Sequence, residues 1–139
     1  MSNKRTETFS RLFALGRLIR SRVDASGSLP MAQLETLRFI IEGKTPTMHA
    51  IAEYHRITAP SATTHVQELV RLKYVKRVTD AKDRRQVRLA ITPLGLRTYT
   101  KAVAERRKVI EALFTHLSDR DLETFNRILD TIIAKQSQV

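Results

Sequence analysis

Cysteine is missing from all 139 residues of the chain. Disulfide staples, a thiol redox sensor and a cysteine nucleophile are therefore excluded. Glycine is scarce, at four, and forms no glycine-rich phosphate loop. A nucleophile elbow and a repeated histidine–carboxylate motif are also missing, so neither catalysis nor a cofactor is expected. Long hydrophobic runs are absent: nothing approaches the roughly 18 to 20 apolar residues of a membrane span. The opening stretch, MSNKRTETFSRLFALGRLIRSR, lacks the apolar core and cleavage pattern of a secretory signal. These absences lead to the expectation of a cytoplasmic protein with no membrane partner. Acidic residues are few, 14 against 25 lysines and arginines, and the net charge is +11. A positive charge of that size favours an anionic partner, nucleic acid before a membrane surface.

What is present belongs to a globular chain, 42% hydrophobic and 28% charged, long enough to bury a real core. Residues 6–24 carry Phe9, Leu12, Phe13, Leu15, Leu18, Ile19 and Val23 at spacings of three and four, which predicts an amphipathic helix. Ser26-Gly27-Ser28 ends it, and a second helix runs from Pro30 to Gly43. Thr45-Pro46-Thr47 leaves room only for a bridge or a cap before a short helix over Met48 to Tyr54. Thr58 is placed to cap a fourth helix, with Pro60 in its first turn and Ala62, Val66 and Leu69 inward. Two alternating segments, 75–80 and 87–92, flank a charged turn and predict a hairpin. A long helix from Pro93 to His116 and a last one opening at Ser118 complete the chain, and Asp119, Asp121 and Glu123 suit that helix start.

The expected fold is mainly α with a minor β component, in one domain spanning 1–139. Residues 44–92 form a winged helix-turn-helix module, and 6–43 and 93–136 form helical dimerisation regions. Phe9, Phe13, Leu113, Phe114, Phe125, Leu129 and Ile132 are more apolar surface than a small module covers, which calls for a second copy of the chain.

The chemistry concentrates on the module. The outward positions of the fourth helix are Ser61, Thr63, Thr64 and Gln67, short neutral donor–acceptors suited to base edges, behind the cap Thr58. Eight basic residues lie between Arg71 and Arg88, opposed there by Asp80 and Asp83. Lys76, Arg77, Lys82, Arg84, Arg85 and Arg88 are the candidate contacts of the wing and its strands with DNA. Asp83 is read as a strut that pairs with a neighbouring arginine and fixes the turn.

The run Asp80-Ala81-Lys82-Asp83-Arg84-Arg85, followed by a strand and Thr92-Pro93-Leu94-Gly95, resembles the wing signature of MarR-type winged-helix regulators. Ile51-Ala52-Glu53 and Ala62 to Leu69 resemble that family's helix-turn-helix. The resemblance implies a homodimer with intertwined terminal helices, reading a pseudo-palindrome of double-stranded DNA, with a repressor role. It implies Thr58 to Lys73 as the major-groove helix, Arg85 as the minor-groove arginine and Asp83 as the acidic strut. It further implies a small aromatic or lipophilic effector, for which Phe13, Leu15, Phe39 and Tyr99 are candidates, each equally a core residue. Two departures stand out: Ala81 and Lys82 replace the usual proline and arginine, and Arg56 occupies a turn position where glycine is usual.

The same charge also suits a non-specific architectural DNA binder. A basic membrane-surface or protein-interaction module would place its cations on an amphipathic helix, whereas here they peak on a hairpin. His49 and Glu53 have a ligand-compatible spacing, but spacing supplies no third ligand, and no metal is expected.

Overall fold

A computed structural model of the chain describes residues 3–136. The elements follow the order α1 (Asn3–Ala25), α2 (Met31–Glu42), α3 (Met48–His55), α4 (Ala59–Arg71), β1 (Val75–Thr79), β2 (Val87–Ile91), α5 (Pro93–Leu113) and α6 (Asp119–Gln136). The fold is mainly helical with one small antiparallel sheet, a winged helix with long helices at either end.

Local chemistry sets most of the boundaries. Thr47, Thr58 and Thr92 are extended residues whose hydroxyls accept the N–H of the residue three positions on, capping α3, α4 and α5. Ser118 opens α6 the same way, accepting from the Asp121 N–H while donating to that carboxylate at 2.9 Å. Thr47 also pairs with Arg88 as an isolated bridge, so the short segment before α3 is both bridge and cap. The expected helix to His116 stops at Leu113, where a turn begins.

The core is the seam between α2, α3, α4 and the base of the hairpin. Leu37, Ile40, Ile51, Val66, Leu69, Val75 and Leu89 are buried together there. In the hairpin register Val75 faces Ile91 and Arg77 faces Leu89. Gly95 locks this base to α5: a Cβ there would lie 2.0 Å from the Tyr74 carbonyl oxygen. Thr92 completes the joint, its hydroxyl donating to the Lys73 carbonyl at 2.6 Å and its N–H to the Tyr74 carbonyl at 3.0 Å.

A polar knot sits at the edge of that core. The buried Thr36 hydroxyl donates to the Ala32 carbonyl at 2.8 Å and lies 2.7 Å from Nε2 of both His55 and His65. A hydroxyl carries one proton, so both imidazoles must donate to it through Nε2–H. One threonine of α2 thereby holds the end of α3 and the middle of α4.

The ends are packed differently. Among its described residues α1 buries only Val23, and α6 buries none. Phe9 is 65% exposed, and Leu12, Phe13, Ile128 and Ile132 are likewise exposed. No helix among the described residues is long and apolar enough to cross a membrane.

Candidate nucleic-acid interface

The α3–α4 corner carries one side of the site. Arg56 closes α3 with φ 52° and ψ 46°, a left-handed residue that is not glycine, and the chain then turns into α4. Ser61, Thr64 and Gln67 are exposed on α4, and Thr63 is half-buried. Thr58 and Ser61 are tied hydroxyl to hydroxyl at 2.9 Å. Thr63 and Thr64 donate to the carbonyls of Ala59 and Pro60, at 3.0 and 3.1 Å. Their outward lone pairs therefore remain as acceptors, a pattern suited to the amino groups of adenine or cytosine.

The hairpin carries the other side. A concavity of about 520 Å³ separates it from the helices, lined by Thr47, Met48, His49, Thr63, Arg77, Arg85, Gln86 and Val87. Arg77, Arg85, a threonine of α4 and the start of α3 thus share one hollow. Lys76, Lys82 and Arg84 are exposed around it on the strands and tip.

Two residues singled out from the sequence have partners within the chain. Asp83 does not pair with an arginine side chain: its carboxylate accepts the Arg85 backbone N–H at 3.0 Å, shaping the tip as a local turn. The carboxylate that does pair is Asp80, 8% exposed, which sequence reasoning passed over. Its Oδ1 accepts the Lys82 N–H at 2.8 Å, and its Oδ2 accepts Arg88 Nε at 2.6 Å. The Lys82 N–H, and after it the Arg88 guanidinium, hold the Asp80 carboxyl below the usual carboxylate range. Arg88 is the second. Its guanidinium is committed to Asp80 and, at 3.0 Å, to the Thr45 carbonyl, rather than standing clear among the surface cations. A signal was available: in a hairpin of this register an acid just past β1 lies diagonal to an arginine of β2.

The four effector candidates do not meet in one cavity of the protomer. Phe13 lines a hollow formed by α1 alone, under the Arg17 guanidinium 5.3 Å from its ring. Leu15 is half-buried on α1, and Phe39 stacks on Tyr54 at 4.4 Å. Tyr99 lines a separate hollow of about 430 Å³ between α2 and α5, with Leu34, Arg38, Val103 and Arg106. Of the other elements, α1 meets chiefly α5, and Phe13 stands exposed on it rather than against α2. His49 and Glu53 pair with each other at 3.1 Å, and no metal-holding cluster of three or more such residues occurs among the described residues.

Comparison with known proteins bears on the fold. Residues 28–86 match the model of the MarR family. A comparison with curated proteins found no match. Among solved structures, YusO from Bacillus subtilis superposes with a TM-score of 0.79 at 20% identity, over 96% of this chain and 99% of that one. A MarR family protein from Bacillus stearothermophilus gives 0.75 at 20% identity, over 99% of both chains. Streptococcus pneumoniae FabT in complex with DNA gives 0.71 at 19% identity, over 97% of both.

Proposed function

We propose that this chain, which carries the MarR family pattern over residues 28–86 and the fold of those regulators along its length, is a homodimeric, sequence-specific DNA-binding repressor of the cytoplasm. One observation carries the reading. The concavity between the wing and the start of α3 with α4 presents Thr47, Met48, His49 and Thr63 on one wall and Arg77 and Arg85 on the other. The two acids of the hairpin are withdrawn from it, Asp80 by burial and Asp83 into the turn.

In this reading α4 enters the major groove and Ser61, Thr63, Thr64 and Gln67 meet base edges, while Thr58 and the helix start meet phosphate. Arg85 reaches the adjacent minor groove, and Lys76, Arg77, Lys82 and Arg84 track the backbone. Two protomers place two such helices about 34 Å apart, one turn of duplex. A bound dimer represses by occupying its site. A small aromatic or lipophilic effector seated beside Tyr99, between α2 and α5, would change the spacing of the two modules and release the DNA.

Selection of bound duplexes from a random pool, followed by titration against salt, tests the proposal. Enrichment of an inverted repeat with a steep salt dependence is the expected result. Binding of the same salt dependence without an enriched motif would make the chain an architectural DNA binder instead.

A further inference from the structure

Arg88 ties β2, the base of the wing tip and the α2–α3 turn together through polar contacts. It stands on β2, its Nε donates to Asp80 at the base of the wing tip, and its Nη1 donates to the Thr45 carbonyl in the α2–α3 turn. That turn is an unusual piece of backbone. Lys44 and Thr45 are consecutive non-glycine residues with φ of 48° and 63°. Conformations of this kind cost about 1–2 kcal/mol per residue and persist only where the surroundings hold them. What holds them is the hairpin. Arg88 takes the Thr45 carbonyl, the Leu89 N–H donates to the carbonyl of the buried Pro46 at 2.9 Å, and Thr47 bridges to Arg88. α3 starts at the next residue and supports α4.

Asp80 is the other end of the brace. Both of its oxygens are occupied, Oδ1 by the N–H groups of Lys82 and Asp83, at 2.8 and 3.4 Å, and Oδ2 by Arg88. The tip bearing Arg84 and Arg85 is therefore tied to Asp80, Asp80 to Arg88, and Arg88 to the turn that leads into α3. The apolar anchors Val75, Leu89 and Ile91 and the Leu89–Pro46 hydrogen bond lie at the base of the ribbon, and a two-stranded ribbon held only there can twist toward its tip.

We propose that Arg88 is a positioning residue for DNA binding, acting with Asp80 to fix the angle of the wing against the α3–α4 pair, and is not a phosphate ligand. The inference rests on the DNA-binding reading above, and charge makes it separable from the alternatives. Asp80→Asn removes a negative charge from a face that meets a polyanion, so electrostatics alone would tighten binding. The brace requires the opposite. Arg88→Lys keeps the charge, but a single ammonium cannot span Asp80 and the Thr45 carbonyl together. A phosphate contact would survive that change, and the brace would not.

Affinity for the selected duplex and amide hydrogen exchange of residues 80–88 in the free protein would be measured for Asp80→Asn, Arg88→Lys and the double variant. Thermal melts would confirm that each is folded. The expected result is a loss of roughly tenfold or more for each single variant, with the double variant no weaker than the worse single one. Exchange across the wing should quicken in both, with α4 unchanged. Tighter or unaltered binding by Asp80→Asn, near wild-type binding by Arg88→Lys, or losses that add in the double variant would each overturn the brace. If Asp80→Asn does not fold, Arg88→Lys decides alone. If the wild-type protein selects no duplex, the DNA-binding reading fails, and exchange decides the brace: unaltered wing protection would overturn it.

Discussion

Single side chains at this surface divide into those that face outward and those that hold others in place. Arg85 faces outward, its backbone N–H already fixed by Asp83, so its guanidinium is presented from an ordered turn. Arg85→Ala should weaken operator binding about tenfold or more, by filter binding or fluorescence anisotropy, with an unchanged melting curve. Unchanged affinity would remove the minor-groove role. His55 holds others in place. Its burial, then the neighbouring His65 5.5 Å away, lower its pKa below that of a free imidazole, partly offset by Glu35. Around it from α2, α3 and α4 stand Glu35, Arg38, Tyr54 and His65, with Glu35 engaged by both Arg38 and Tyr54. A depressed histidine binds fewer protons folded than unfolded, so its stability is whole above about pH 6.5 and declines as pH falls below that value. Melts between pH 7.5 and 5.5 should show this decline, and His55→Gln should flatten it. A decline just as steep in the variant would assign it elsewhere.

The joints between elements show where sequence was sufficient and where it was not. Helix starts were legible because a threonine or serine before an apolar stripe has one common use, and Thr58 with Pro60 states it plainly. The hairpin was legible through its alternation. What escaped was contact at a distance: Asp80 with Arg88, Arg88 with Thr45, and Thr36 with two histidines 19 and 29 positions away. The hairpin register offered a hint for Asp80 with Arg88 alone, since a buried acid and an exposed one look alike in a basic run, and nothing local marks the other partners. The cost of Arg56 at the α3–α4 turn was legible, and the left-handed backbone is there. Arg56→Gly should therefore stabilise the protein by about 1 kcal/mol, a rise in melting temperature of roughly 3–6 °C. No rise would mean that Arg56 makes contacts worth as much as its strain. At the other joint, Gly95→Ala must push the Tyr74 carbonyl aside. A loss of about 3 kcal/mol in a denaturant melt is expected, and a neutral result would show the hairpin free to slide on α5.

Across the whole molecule the winged module is finished and the ends are not. Apolar side chains of α1 and α6 stand in solvent in a single protomer, and the proposed dimer would cover them with a second copy. Phe13→Glu and Ile132→Glu together should shift the protein to a monomer by sedimentation, leave helix content largely intact and reduce operator affinity steeply, since two linked half-sites become one. A double variant that still sediments as a dimer would place the interface elsewhere. The seating of α1 against α5 also orders events during synthesis. α1 leaves the ribosome before α5, the helix it packs on, which begins at Pro93. Roughly seventy residues must be translated in between, several seconds at about 5–20 residues per second. Through that interval the apolar stripe of the nascent α1 stands bare beside a completing winged module, a ready client for a ribosome-bound chaperone.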